Sequence, residues 1–108
     1  MNILFVCSAN RDRSRTAEIY FQNKYIEHRF RSCGTNKFLS QRHGGVVMER
    51  YMLDIAHRII CAEQNHMDLI IERFGEQYKN KIEVLSLGDT KTFMDPELIT
   101  MLETLFKL

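Results

Sequence analysis

Cys7 and Arg13 bracket five residues, Ser8-Ala9-Asn10-Arg11-Asp12, and Ser14 follows directly. These residue types at this spacing are what a nucleophile site that grips phosphate requires. The amides of a short loop can converge on an oxyanion, and a helix beginning at the far end of the loop points its positive pole at the same spot. Positive charge beside a thiol favours the thiolate, which is the reactive form of the side chain.

Such a loop needs a strand to end it on one side and a helix to open on the other. The apolar run Ile3 to Val6 reads as a buried strand that stops at Cys7. Ala17, Tyr20, Phe21, Lys24 and Tyr25 recur at helical spacing and predict a helix from about Arg13 to Ile26. His28 to Cys33 reads as a second strand closed by Gly34, and residues 34–45, with their Gly, Asn and Ser, as an irregular connection. Val47, Met48, Tyr51 and Ile55 suggest a second helix, and Arg58 to Cys61 a third strand. A third helix runs from Glu63 to Gly75 and a fourth strand from Ile82 to Leu87. Asp95-Pro96 then reads as an N-cap with proline at the first helical position, ahead of Leu98, Leu102, Leu105 and Phe106. Strands alternating with helices imply an α/β three-layer sandwich: a four-stranded parallel sheet covered on both faces, with the phosphate loop after the first strand. Ligands in such sheets sit beyond the carboxyl ends of the strands, where strand order reverses. Cys7 ends the first strand and Asp89 follows the fourth, so both groups fall on one rim.

At 108 residues and 44% hydrophobic, residues 1–108 are expected to form one domain with one core. A net charge of +1 offers no broad footprint for nucleic acid or an anionic membrane, although Arg11, Arg13 and Arg15 concentrate charge beside the cysteine. No stretch has the length of a membrane span or the layout of a signal peptide, which gives the expectation of a cytoplasmic protein. Cys7, Cys33 and Cys61 are an odd number without paired metal spacing, so neither a disulfide framework nor a zinc site is expected. Cys33 and Cys61 read as core residues. The histidines at 28, 43, 57 and 66 are scattered and none is assigned as a ligand.

The run Val6 to Ser14 resembles the phosphate loop of the low-molecular-weight protein tyrosine phosphatases. Thr16-Ala17-Glu18, Ser32-Cys33-Gly34-Thr35 and Ala62-Glu63-Gln64-Asn65-His66 are similar to further motifs of that family, and Met94 to Leu98 to a short branch of its superfamily described only as predicted phosphatases. The resemblance implies a phosphomonoester hydrolase with Cys7 as the nucleophile that takes the phosphoryl group. Arg13 would hold two phosphoryl oxygens in its planar fork, which a lysine could not imitate. Asn10 would brace the loop in a left-handed backbone, and Ser14 would donate toward the sulfur. The amides of Ser8, Ala9, Asn10, Arg11, Asp12 and Arg13 would supply the remaining donors. A phosphorylated protein or a small aryl phosphate, phosphotyrosine first, is the implied partner, with no metal or other cofactor. Two residues depart from the pattern: Ala9 stands where the family usually has glycine, and Asp12 where many members have a second cysteine. Asp12 also brings a negative charge near the site unless it turns outward toward Arg15.

The family's general acid is an aspartate after the fourth strand, usually within Asp-Pro-Tyr, and this chain has two candidates, Asp89 and Asp95. Asp95 carries the literal Asp-Pro match but opens directly onto a helical run, so Asp89 is the assignment made. Phe93 or Tyr51 would line the cleft beside a flat substrate. Three other readings compete: a phosphocarrier IIB domain of sugar transport, which does not need Arg13; an arsenate reductase, which needs two further cysteines close together; and a phosphate- or phosphopeptide-binding module with weak or no catalysis. The enzymatic reading requires a sulfur that is not buried away from solvent and a first turn after it that can close around a tetrahedral oxyanion.

Overall fold

The computed structural model describes all 108 residues. Four strands, β1 (Asn2–Cys7), β2 (Arg29–Gly34), β3 (Arg58–Cys61) and β4 (Ile82–Val84), form one parallel sheet in the order β2-β1-β3-β4. Helices α1 (Arg13–Lys24), α2 (Lys37–Arg42), α3 (Arg50–Ile55), α4 (Gln64–Phe74) and α5 (Pro96–Leu105) fill the connections, with a 3-10 turn over Glu76–Lys81. The sheet is the parallel, two-sided one expected. The chain leaves β1 for β2 on one side and returns to β3 on the other, so strand order reverses at β1, where the loop 8–12 emerges.

Alternation along β1 supplies the two faces. Ile3, Phe5 and Cys7 pack with Ala17 and Phe21 of α1, Leu98 and Leu102 of α5, and Phe106. Leu4 and Val6 pack on the other face with Met52 and Leu53 of α3, Ile70 of α4 and Tyr78. The sheet thus divides the single core expected from the sequence into two, and Cys33 and Cys61 lie in the second as free thiols. Burial, with some contribution from Cys7 and Cys61, pushes the Cys33 thiol far above its usual range, and burial pushes Cys61 up to about 12, so both stay protonated.

Several boundaries move. The first helix stops at Lys24 rather than Ile26, and the connection 34–45 contains the six-residue α2, whose N-cap Asn36 accepts from the amide of Leu39. The second helix begins only at Arg50, because Val47 is held beside Gly34 in a single parallel bridge. Strand β4 ends at Val84 instead of Leu87, for Ser86 adopts a φ of 58° that no strand accommodates. Its continuation still tracks the sheet, with Leu85 N–H bonded to Cys61 O and Leu87 N–H to Ala62 O. Glu63 caps α4 from outside, and α5 opens at Pro96 with Asp95 as N-cap.

Candidate active site

Extension of the sheet beyond its strands aims the loop. Thr35 N–H bonds to Cys7 O and Asn36 N–H to Ser8 O, which carries β2 pairing into the loop, while Ala62 N–H bonds to Val6 O from the other neighbour. Asn10 organises the interior. It is buried, has a φ of 51°, and spends its whole amide on the loop: Nδ2 donates to Ser14 Oγ at 2.9 Å and Ser32 Oγ at 2.8 Å, and Oδ1 accepts from Val46 N–H at 2.8 Å. Ser32 in turn donates to the Glu18 carboxylate. Only Gly, Asn and Asp enter the left-handed region cheaply, which is why this position is an asparagine. Ala9 is not among the residues of positive φ, so alanine in the place of glycine brings no backbone strain.

Ser14 stands 2.9 Å from Cys7 Sγ. Since the Asn10 amide already donates to the Ser14 oxygen, the serine hydrogen is left for the sulfur or for the more distant Cys33 O at 3.4 Å. A donor aimed at sulfur stabilises its anion. Contrary to the requirement read from the sequence, Cys7 is only 2% exposed, among apolar neighbours that include Ala17, Leu85 and Leu87, and its thiol is enclosed in this conformation.

Arg13 is the first residue of α1, and its side chain reaches the loop after β4, where Nη1 donates to Gly88 O at 2.8 Å. Gly88, at a φ of 75°, also donates its own N–H to Glu63 Oε2 at 2.7 Å. Gly88, through its carbonyl on one side and its N–H on the other, therefore joins α1 to the N-cap of α4. Between these elements lies a cleft of about 300 Å³ lined by Ser8, Arg13, Glu63, Asn65, His66, Gly88 and Asp89, with no apolar wall. Asp89 is exposed at this cleft with Arg13 and Ser8. Asp95 is elsewhere, its carboxylate accepting from Glu97 N–H at 2.8 Å. Asp12 is the N-cap of α1 but makes no capping bond, and it forms no ion pair with Arg15. The aromatic wall expected from Phe93 or Tyr51 is missing: Phe93 lines a neighbouring recess, and Tyr51 borders a groove beside the edge strand β2.

His66 carries a part in the site that its scattered position did not suggest. It is fully buried, its Nδ1 accepts from Glu63 N–H at 3.0 Å, and its Nε2 lies 2.9 Å from Ser8 Oγ. With Nδ1 occupied as an acceptor, the ring hydrogen of the neutral form sits on Nε2 and donates to Ser8. The Ser8 hydroxyl hydrogen is then free to turn toward the cleft. Burial, reinforced by Arg13 and opposed by Glu63, lowers the pKa of His66 to about 4 and keeps the ring neutral. The signal in the sequence was the spacing Glu63-x-x-His66, a capping box in which the histidine is the third helical residue.

The sequence matches no protein-family model and no curated protein sequence. Solved structures do match. A YwlE mutant from Bacillus subtilis superposes with a TM-score of 0.72 at 22% identity, over 97% of this chain and 95% of that one. The YwlE arginine phosphatase from Geobacillus stearothermophilus gives 0.68 at 24% identity over 94% and 88%. The low molecular weight protein tyrosine phosphatase from T. tengcongensis gives 0.69 at 20% over 97% and 92%. The fold is that of the low-molecular-weight protein tyrosine phosphatases. This is the fold that the loop motif implied, and it spans nearly the whole chain.

Proposed function

We propose that the chain is a phosphomonoester hydrolase working through a cysteinyl-phosphate intermediate, with aryl phosphates such as phosphotyrosine as the leading substrate class. The observation that carries this reading is the bonded series Asn10–Ser14–Cys7 inside a loop that opens directly into α1. The Cys7 thiolate attacks phosphorus, and the bond from phosphorus to the leaving oxygen breaks. That oxygen takes its proton from Asp89, at the mouth of the same cleft as Arg13. Water then attacks phosphorus, returns a proton to Asp89 and releases phosphate as the phosphorus–sulfur bond breaks. Loop amides and Arg13 offset the charge on the equatorial oxygens throughout.

The enclosed sulfur requires the mouth to open first. Arg13 is held there only by a neutral carbonyl, and a dianionic phosphoryl group is the stronger acceptor for a guanidinium. Substrate entry thus draws Arg13 off Gly88 and onto phosphate. The test is turnover of p-nitrophenyl phosphate with and without vanadate, beside Cys7→Ser. Vanadate-sensitive release of phosphate that vanishes in the variant is the expected result. Release that survives Cys7→Ser overturns the reading.

One observation favours a second substrate class. The cleft sets Glu63, Asn65 and Asp89 beside Arg13 and has no hydrophobic side chain, which suits a cationic leaving group better than a flat ring. Two of the structural relatives are described as arginine phosphatases, one of them with a phosphorylated active-site serine. Parallel kcat/KM values for phosphoarginine and phosphotyrosine separate the two classes.

A further inference from the structure

Beside the phosphate loop, and sharing no residue with the cleft above, lies an open recess of about 250 Å³ lined by Asn10, Arg11, Arg15, His43, Gly44 and Phe93. Three separate segments build it: the loop and first turn of α1, the turn after α2, and the loop before α5. We infer that this recess binds the carboxylate of an acidic residue flanking the phosphorylated side chain, which makes acidic phosphopeptides the preferred substrates. The inference rests on the phosphatase reading for the identity of the phosphorylated group, and on the following features for the recess itself.

None of the three basic side chains in the recess is neutralised. The ion pairs of the chain are Lys24–Glu103, His28–Glu27, Arg58–Glu83 and Lys91–Glu97, and none involves Arg11, Arg15 or His43. Their side chains also make no hydrogen bond within the chain, whereas Arg13 and Arg73 are each tied to a carbonyl. Two unpaired guanidiniums lining one concavity repel each other, and an anion placed between them relieves that repulsion. Phe93, 45% exposed, supplies the one apolar surface, against which the methylenes of a glutamate can lie.

Charge is also divided about the loop. The cleft sets the carboxylates Glu63 and Asp89 beside Arg13, and the recess carries the guanidiniums of Arg11 and Arg15, with His43, and no carboxylate. With Arg13 engaged by phosphate, the carboxylates left in the cleft disfavour an acidic flanking residue and the recess favours it, so this division would orient the peptide as well as bind it. Asn10 lines the recess while bracing the loop, which puts the recess within one or two residues' reach of a peptide whose phosphate is in the loop.

The experiment compares two heptapeptides, phosphotyrosine flanked on each side by glutamates or by glutamines, binding to Cys7→Ser by fluorescence anisotropy. The glutamate peptide is expected to bind about 5- to 10-fold more tightly at low salt, from two or three exposed charge pairs. That ratio should shrink in 0.5 M NaCl. Adding Arg15→Gln and His43→Asn should bring the ratio below about two-fold, while the same pair of changes in the native chain leaves p-nitrophenyl phosphate turnover within about two-fold, since that substrate has no second anionic group. Equal affinity for the two peptides overturns the inference, as does a preference that survives the double change or a collapse of p-nitrophenyl phosphate turnover caused by it. Absence of turnover by the native chain overturns the phosphatase reading alone, because the binding ratio still decides what the recess does.

Discussion

Asp89 and Asp95 lie six residues apart and differ in what their carboxylates touch. Asp95 is committed to the amide of Glu97, so its charge works on the positive end of α5. Asp89 has no such bond and lines the same cleft as Arg13. In the proposed reaction Asp89→Asn lowers turnover by about 10²-fold. The loss should be larger for phenyl phosphate than for p-nitrophenyl phosphate, whose departing phenolate is the weaker base and needs the proton less. A loss equal for both esters would remove Asp89 from the role of acid. Asp95→Ala is expected to leave turnover within about two-fold and to lower the unfolding free energy by about 1 kcal/mol, measured in urea. Arg13 belongs at this scale too. Arg13→Lys keeps the charge but loses the planar fork, and a fall in kcat/KM of about 10²-fold is expected, with folding retained.

Among the elements, the end of β2 is what holds the loop to its shape. A Cβ on Gly34 would stand 2.7 Å from Ser8 O and 2.9 Å from Asn10 N, both loop backbone, and 2.1 Å from Ser40 Oγ on α2. Glycine at this position therefore reflects the close approach of strand, loop and helix, since its backbone lies outside the positive-φ set. Gly34→Ala is expected to cost about 1–3 kcal/mol of stability by overpacking and to lower kcat/KM by at least about tenfold through displacement of the loop. Adding Ser40→Gly should restore little, because it removes one of the three neighbours and the other two cannot give way. Full recovery in that double variant would assign the effect to α2 instead of the loop. Elements with apolar periodicity, α1, α4 and α5, were legible in the sequence to within a few residues, as was β1 as a buried strand. The six-residue α2 was not, since it is too short to show a period and depends on Asn36 for its cap. The early end of β4 was not either, because a left-handed serine at position 86 leaves no mark on hydropathy.

For the molecule as a whole, the rim bearing Cys7, Arg13 and Asp89 could be inferred because parallel strands deliver their carboxyl ends to one side. What joins those strand ends across the rim could not, for Arg13–Gly88–Glu63 and Glu63–His66–Ser8 are contacts between segments 25 to 75 residues apart or turn on which ring nitrogen carries the proton. The contacts of His66 with Glu63 and Ser8 also bear on global stability. His66 is held neutral in the fold with a pKa lowered from 6.5 to about 4, so between those values the unfolded chain binds a proton that the folded chain refuses. Stability contributed by this residue is intact above pH 6.5, falls as pH drops through the window by at most about 1.4 kcal/mol per pH unit, and reaches its full loss below pH 4. Carboxylates add their own acid dependence, so the residue's share must be read as a difference. Urea unfolding of the native chain and of His66→Gln, which can still donate from its amide to Ser8, should give curves that converge as pH is lowered from 7 to 4.5, with the variant the flatter of the two. Parallel curves would show that His66 takes up its proton as easily in the fold as out of it, and that the ring nitrogen facing Glu63 is no barrier to its charging.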